Sequence, residues 1–457
     1  MSIVLDEDNT EDSSELRVSI LEELGTKKHR AITRTDRLIY ILKKPANFLR
    51  EKFSPGSMKS SIFNILASTM GAGILLLPYA VNLAGFYFGI ILIIIGMMCS
   101  LIASQLLIIV AENLGLDTYN MIGERLFGTK MKVFTEISLI ISNYGAAVTF
   151  LVLLKSLVPL ILKRIGTDND VLQSEYLWGC IITLFIVFPL CLFKQMTSLK
   201  YTSTICFFSL VYLCFAITFT FFSMRFGSCG ERISEATEMK TSWTVFEVFP
   251  IIIFAFTSQP YALPIYEELQ RKTTTRGFKV LNRSLGMALG LYLLIGIFGY
   301  LTFYKEYSTL DFPDEILNGD YENGNVVMIL ATCATLAIAL TGCPLSFYPC
   351  RQAIFSFVWG EKPVSSKNHM FITAIMLLSA MGISLAIPNI RVIVTVLGST
   401  LSPIVCFILP CWFYIKTFRG KTGKMTLVLC WAIMALASIF GLIGLVVFCV
   451  ETAGGIN

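Results

Sequence analysis

Two short stretches hold the residues best suited to chemistry in this 457-residue chain. The first is Gly71-Ala72-Gly73-Ile74, with Pro78 one turn later. The second is Phe256-Thr257-Ser258-Gln259, followed by Pro260 and Pro264. Both sit in the middle of long uncharged runs. Glycine loosens a helix and proline removes an amide donor, so each stretch frees backbone groups inside an apolar segment. Free amides at a helix N-terminus favour a carboxylate, which suits Gly71 to Ile74. Carbonyls freed at Phe256 to Ser258 suit an ammonium, and Ser258 and Gln259 are then left to face the rest of a zwitterion. Taken alone, Gly71 and Gly73 equally fit close helix packing.

Reactive side chains are few. His29 and His369 both fall in predicted loops, so no zinc cluster and no Ser–His or Cys–His nucleophile has its parts within the apolar runs. Of 13 cysteines nearly all lie in those runs; only Cys229 sits clearly in an outer loop, and a disulfide framework is not expected. Paired carboxylates for acid–base catalysis are missing too, so the chain reads as no enzyme, with neither metal nor cofactor. The ionisable groups in or beside the apolar runs are Glu136, Lys155 and Glu247. Glu247, three residues before Pro250, can titrate with access to solvent. Lys155 is either a coupling group or a snorkelling side chain.

The elements that must position these residues are membrane helices. The chain is 55% hydrophobic and 15% charged, with a mean hydropathy of +0.71, which excludes a soluble multidomain enzyme and a nucleic-acid binder. Residues 60–111 carry no charge, enough for two spans with a turn near Asn82 and Gly85. One span each follows from 137–154, 176–193, 201–224, 248–266, 284–304, 323–350, 370–390, 392–415 and 425–450. The expected fold is an all-α polytopic membrane protein with eleven spans.

With the N-terminus inside, the cytoplasmic loops carry 17 Lys and Arg against 7 outside, Lys155 being counted with its span. The positive-inside rule thus puts the N-terminus in the cytoplasm and residues 451–457 on the other side. Residues 1–57 read as a cytoplasmic, largely disordered tail with no cleaved leader, and 58–450 as the membrane domain. The one Asn-x-Ser/Thr sequon, Asn282, falls in a predicted cytoplasmic loop and is not expected to carry a glycan. Breaks in spans 1 and 6, the first members of two five-span halves, are the sequence pattern of a transporter substrate site.

The stretches Asn64 to Tyr79, Phe254 to Leu269, Tyr119 to Gly128, Cys343 to Ile354 and Gly398 to Tyr414 resemble, in order and spacing, the amino acid/auxin permease family. That family includes sodium-coupled neutral amino acid transporters and vacuolar amino acid exporters. The resemblance runs from about residue 58 to 450. It implies a LeuT-like fold: an inverted five-plus-five repeat with broken helices 1 and 6, plus an eleventh helix, moving amino acids by alternating access driven by H+ or Na+.

Residue by residue, the resemblance puts Phe150 where many relatives carry an aromatic lid, with Tyr144 and Asn143 as alternatives on the same span and an ordinary core Phe as the other reading. Ser258-Gln259 replaces the Cys-His of many sodium-coupled relatives. Ala67 replaces an ion-binding asparagine. Thr341 is a hydroxyl where span 8 often holds sodium, and Asn64 belongs to the same candidate set. These departures favour protons over sodium. The neutral pocket residues favour a neutral amino acid.

The loop from Glu267 and Glu268 through five basic residues is either an inner gate or a solvated loop. The expected partners are an amino acid and the bilayer, with no nucleic acid and no obligate protein. A plasma or a vacuolar/lysosomal membrane fits. The competing function is an amino acid sensor of the same fold, signalling from its cytoplasmic face.

Overall fold

A computed structural model describes residues 56–167, 169–193, 200–225, 243–304, 312–319, 321, 325–360, 364–421 and 423–454. Nearly all of the expected N-terminal tail, His29, Cys229 and the last three residues lie outside them. The described residues contain helices and no strand. In chain order these are α1 (Met58–Thr69), α2 (Leu77–Ala84), α3 (Phe86–Leu114), α4 (Tyr119–Phe127), α5 (Thr129–Ile165), α6 (Glu175–Cys191) and α7 (Lys200–Arg225). The second half holds α8 (Val248–Ala255), α9 (Gln259–Glu267), α10 (Thr274–Phe303), α11 (Val326–Trp359), α12 (Ser366–Ala386), α13 (Ile390–Ser399), α14 (Leu401–Thr417) and α15 (Lys424–Gly454).

Local chemistry sets many of the ends. Ser57 caps α1 by accepting from the Ser60 amide at 3.3 Å, and Asn325 and Asn389 cap α11 and α13 in the same way. Gly115 and Gly166 close α3 and α5 in the left-handed conformation (φ 65° and 86°).

Among the described residues, eight helices are long and apolar enough to cross a membrane, and two bent pairs raise that to ten. The pairs are Met58–Thr69 with Ala72–Ala84, bent by 53°, and Ile390–Ser399 with Leu401–Thr417, bent by 44°. The remaining expected span, 176–193, is the shorter α6. At its end the Arg351 guanidinium donates to the carbonyls of Cys191 (2.5 Å) and Phe193 (2.8 Å), which satisfies two of the terminal oxygens that a helix leaves without an intrahelical partner. Spans 1 and 6 break where expected, at 70–71 and 256–258. The break at Thr400 is a third that the sequence reading did not include.

The two broken spans lie antiparallel, α8 beside α2 and α9 beside α1. Around them α10 covers α1, α2 and α3, while α5 packs along α11. α13 meets α8 backbone to backbone: a Cβ built on Gly398 would come 2.1 Å from the Pro250 carbonyl oxygen. α15 rests on the outside of α8, α13 and α14. Large aromatic side chains, Tyr292, Tyr300, Phe221 and Phe256, fill the interior, while Ile91, Met98, Phe215 and Leu442 point outward as a lipid-facing surface requires. Below, the near face is the one where α1 and α5 begin; the far face is the one where α2 ends and α13 begins.

Candidate functional site

The two central breaks enclose a cavity of about 30 Å³. Thr69, Gly71, Thr149, Phe150, Thr257, Tyr261 and Ser346 are among its lining residues, and no lining side chain is charged. A cavity of that size has room for water and none for an amino acid.

On the α1 side, the helix ends at Met70, and a tight turn at Ala72–Leu76 leads into α2. The first hydrogen bond closing that turn runs from the Ile74 amide to the Gly71 carbonyl at 3.4 Å, so the Ala72 and Gly73 amides precede it. The two glycines do different work. A Cβ on Gly71 would stand 2.8 Å from the Phe150 ring, and one on Gly342 would stand 2.4 Å from the same ring. Phe150 is therefore seated between two residues that have no side chain, and its ring closes the cavity from α5. Gly73 instead meets α8, where an added Cβ would lie 3.0 Å from the Ala255 Cα. It is the contact that brings the two breaks together.

On the other side, α8 ends at Ala255 and α9 starts at Gln259. The freed groups are largely taken up by α3. Ser100 Oγ donates to the Phe256 carbonyl at 2.7 Å. Ser258 Oγ lies 3.2 Å from Ser100 Oγ and 3.1 Å from Ser104 Oγ. Gln259 accepts from the Ser258 amide at 3.0 Å and donates to the Ser100 carbonyl at 3.2 Å. Ser258 and Gln259 are thus turned toward α3, away from the cavity, while Thr257 lines it. The Tyr292 hydroxyl, within 2.7 Å of the Ala255 carbonyl and 3.2 Å of the Thr69 carbonyl, shares one proton between the ends of both broken helices.

Ser100, Ser104 and Tyr292 were missed. The signal available was a pair of serines four residues apart in an otherwise apolar run, which places both on one helix face.

The ion-coupling candidates are dispersed. Asn64 and Ala67 are buried on α1. Thr341 donates within its own helix, to the carbonyls of Ala337 (2.9 Å) and Ile338 (3.0 Å). Lys155 straps the far end of α5 to the Ile387 carbonyl at 2.7 Å and lies 3.6 Å from Glu175. Glu247 is paired with Arg391. The other polar residues weighed have structural partners: Glu136 accepts from Asn120 and Ser356 (2.8 and 2.9 Å), Tyr144 bonds Ser379 (2.7 Å), and Asn143 donates to the Leu139 carbonyl (2.8 Å).

Both faces are bridged by polar contacts. On the far face Arg391 joins three elements: it pairs with Glu247 at 2.8 Å and Asp314 at 3.3 Å, and sits 4.7 Å from the centre of the Tyr79 ring. Burial holds the Asp314 carboxyl above its ordinary range despite the Arg391 charge. Burial also pushes the adjacent Glu315 up to about 7, opposed by a hydrogen bond from the Ile390 amide and aided by Asp314 and Glu175. Arg164 pins this loop by donating to the Leu317 carbonyl at 2.5 Å. On the near face Tyr266 donates to Glu112 at 2.8 Å, Thr274 donates to the same oxygen, and Lys272 pairs with Asp117. The Gln270 amide adds a bond to the Gly56 carbonyl at 2.8 Å.

Paired breaks around a central cavity, set in two antiparallel halves, define a membrane transporter of the LeuT-like fold. Solved structures of that fold superpose on it. MhsT in complex with L-phenylalanine matches with a TM-score of 0.61 at 14% identity, covering 85% of this chain and 97% of that one. The substrate-bound, outward-open state of a Na+-coupled sialic acid symporter matches with a TM-score of 0.57 at 14% identity, covering 85% and 87%. The family described as "Transmembrane amino acid transporter protein" matches residues 54–453, and the chain belongs to it. One relative, the sodium-coupled neutral amino acid symporter 2 of Danio rerio, is 29% identical over 402 residues, 82% of this chain and 78% of the relative. The likeness read from the motifs is confirmed, and with it a transporter, not an enzyme.

Proposed function

We propose that this protein is a secondary active transporter of neutral amino acids that works by alternating access and is coupled to protons. The carrying observation is the cavity lining: small, hydroxylated and aromatic residues with no charged side chain to pair with a lysine or glutamate side chain. The Ala72 and Gly73 amides take the substrate carboxylate, and carbonyls at the two breaks take its ammonium. At about 30 Å³ the cavity is collapsed. Substrate entry requires the Phe150 ring to leave its seat between Gly71 and Gly342.

Proton coupling draws on the far face, where Glu247 and Asp314 share Arg391 and Glu315 stands beside Asp314. More carboxylates than cations at a point of closure provide a place for a proton that loads on one side. The near face is the cytoplasmic one, and the membrane is the plasma or a vacuolar/lysosomal membrane.

The test is uptake of labelled alanine, leucine, phenylalanine, lysine and glutamate into proteoliposomes, first with a pH gradient and then with a sodium gradient. Accumulation of the neutral amino acids under the pH gradient alone is the expected result. A requirement for sodium would overturn the coupling while leaving substrate class intact. Uptake confined to lysine or glutamate would overturn the substrate class. Binding without flux would make the protein a sensor.

A further inference from the structure

A second, larger cavity of about 270 Å³ lies away from the substrate site, between α3, α8, α14 and α15. Along α3 its wall runs from Phe88 to Cys99, and along α15 from Ile433 to Phe440. Its lining residues are apolar throughout, with Cys99 the only heteroatom-bearing side chain among them. An engineered apolar cavity of about 150 Å³ is enough to take benzene, so this one admits a substantial hydrocarbon.

Two observations identify the occupant. At about 1.5 Å of rise per residue, the stretch Phe88 to Cys99 descends ~16 Å from the far-face end of α3. The hydrocarbon of one leaflet is ~15 Å deep, half of a ~30 Å core. The cleft therefore has the length and the depth of a single acyl chain hanging from the far-face leaflet. Its surroundings agree: Ile91, Ile95 and Met98 on α3 and Leu436, Ile439 and Leu442 on α15 are all exposed apolar side chains. What borders the mouth is membrane hydrocarbon. A long cleft with wholly apolar walls suits a flexible chain better than a rigid ring system.

We propose that this cleft is a binding site for one acyl chain of a far-face phospholipid. The site has a mechanical meaning because its inner wall includes Phe249, Ile252 and Ile253 of α8. The opposite end of that helix leads into Phe254 and Thr257, which line the substrate cavity. Phe249 stacks on Phe440 of α15, with ring centroids 3.8 Å apart and planes 9° from parallel. A chain in the cleft packs beside that pair and supports α8 in its present position.

The test uses the full-length protein in liposomes containing phosphatidylcholine with a photoactivatable diazirine near the end of one acyl chain, with cross-linked peptides mapped by mass spectrometry. Expected is labelling of Ile433, Ala437 and Cys99 at several times the level at the freely lipid-facing Leu442 and Val446. Ala437→Phe fills the cleft and should abolish that excess while leaving Leu442 and Val446 labelled, which reports a folded, inserted protein. If Ala437→Phe does not insert, Ala437→Leu makes the same test with a smaller filling. Labelling of the cleft no stronger than at Leu442, or unchanged by filling, would overturn the proposal. So would a photoactivatable sterol that labels the cleft and displaces the acyl probe.

Discussion

Arg391 Nη2 lies 2.8 Å from Glu247 Oε2, and Glu247 is fully buried. This pair ties the first turn of α13 to the start of α8, and through Asp314 and Tyr79 it also holds the far-face loop and α2. Opening the far face requires these contacts to separate.

Removing one partner should therefore be worse than removing both. Arg391→Ala leaves a buried carboxylate without its cation, a defect of ~3–5 kcal/mol. Thermal unfolding in detergent should show a clear loss for Arg391→Ala, and the double variant Arg391→Met/Glu247→Leu should recover much of it. A double variant no more stable than Arg391→Ala would mean that the pair is not the interaction that matters.

The two glycines of the first break should respond differently to an added side chain. At Gly71 the added Cβ meets the edge of the Phe150 ring, which can swing; at Gly73 it meets the Ala255 backbone, which cannot. Gly71→Ala should keep measurable uptake, whereas Gly73→Val should abolish uptake while the protein still inserts. Wild-type uptake by Gly73→Val would remove the first break from the transport site.

Phe150 sets the size of the cavity. Phe150→Ala should shift preference toward bulkier neutral amino acids and cost about 3–5 kcal/mol of stability, the usual range for deleting a buried ring. Competition by a size series of unlabelled amino acids measures the shift. An unchanged ranking would return Phe150 to plain core packing.

Glu315 makes stability pH-dependent with a definite sign. Its carboxyl is raised from 4.5 to about 7 in the fold, so the folded protein holds a proton that the unfolded chain has lost. Stability falls as the pH rises across that interval and levels off above it. The midpoint of thermal unfolding should drop between pH 4.5 and 7, and Glu315→Gln should flatten the profile. Asp314, also raised by burial, contributes with the same sign.

Much of the architecture was legible because hydrocarbon imposes a severe rule: charges leave and backbone groups pair internally. The spans follow the uncharged runs, and the Gly71/Gly73 and Pro260 breaks declare themselves by residue type. The third break does not. Thr400 departs from the helix between Gly398 and Pro403, residues that also occur in unbroken spans, and the half-helix before it packs on α8 and α15. The orientation of Ser258 and Gln259 was equally hidden, because it depends on Ser100 and Ser104, more than 150 positions away. The partner of the last α6 carbonyls was hidden too, since it is an arginine 160 residues distant. Patterns confined to one helix could be read; pairings between helices could not.

The absence of a side chain at Gly398 has a mechanical consequence. With the Pro250 carbonyl filling the place of its Cβ, α13 and α8 touch backbone to backbone and leave no room for a side chain between them. The two half-helices form one strut, fastened at its outer tip by Arg391 and Glu247 and ending inward at Thr257. Through α8 the latch on the outside and the wall around the cargo belong to one continuous element.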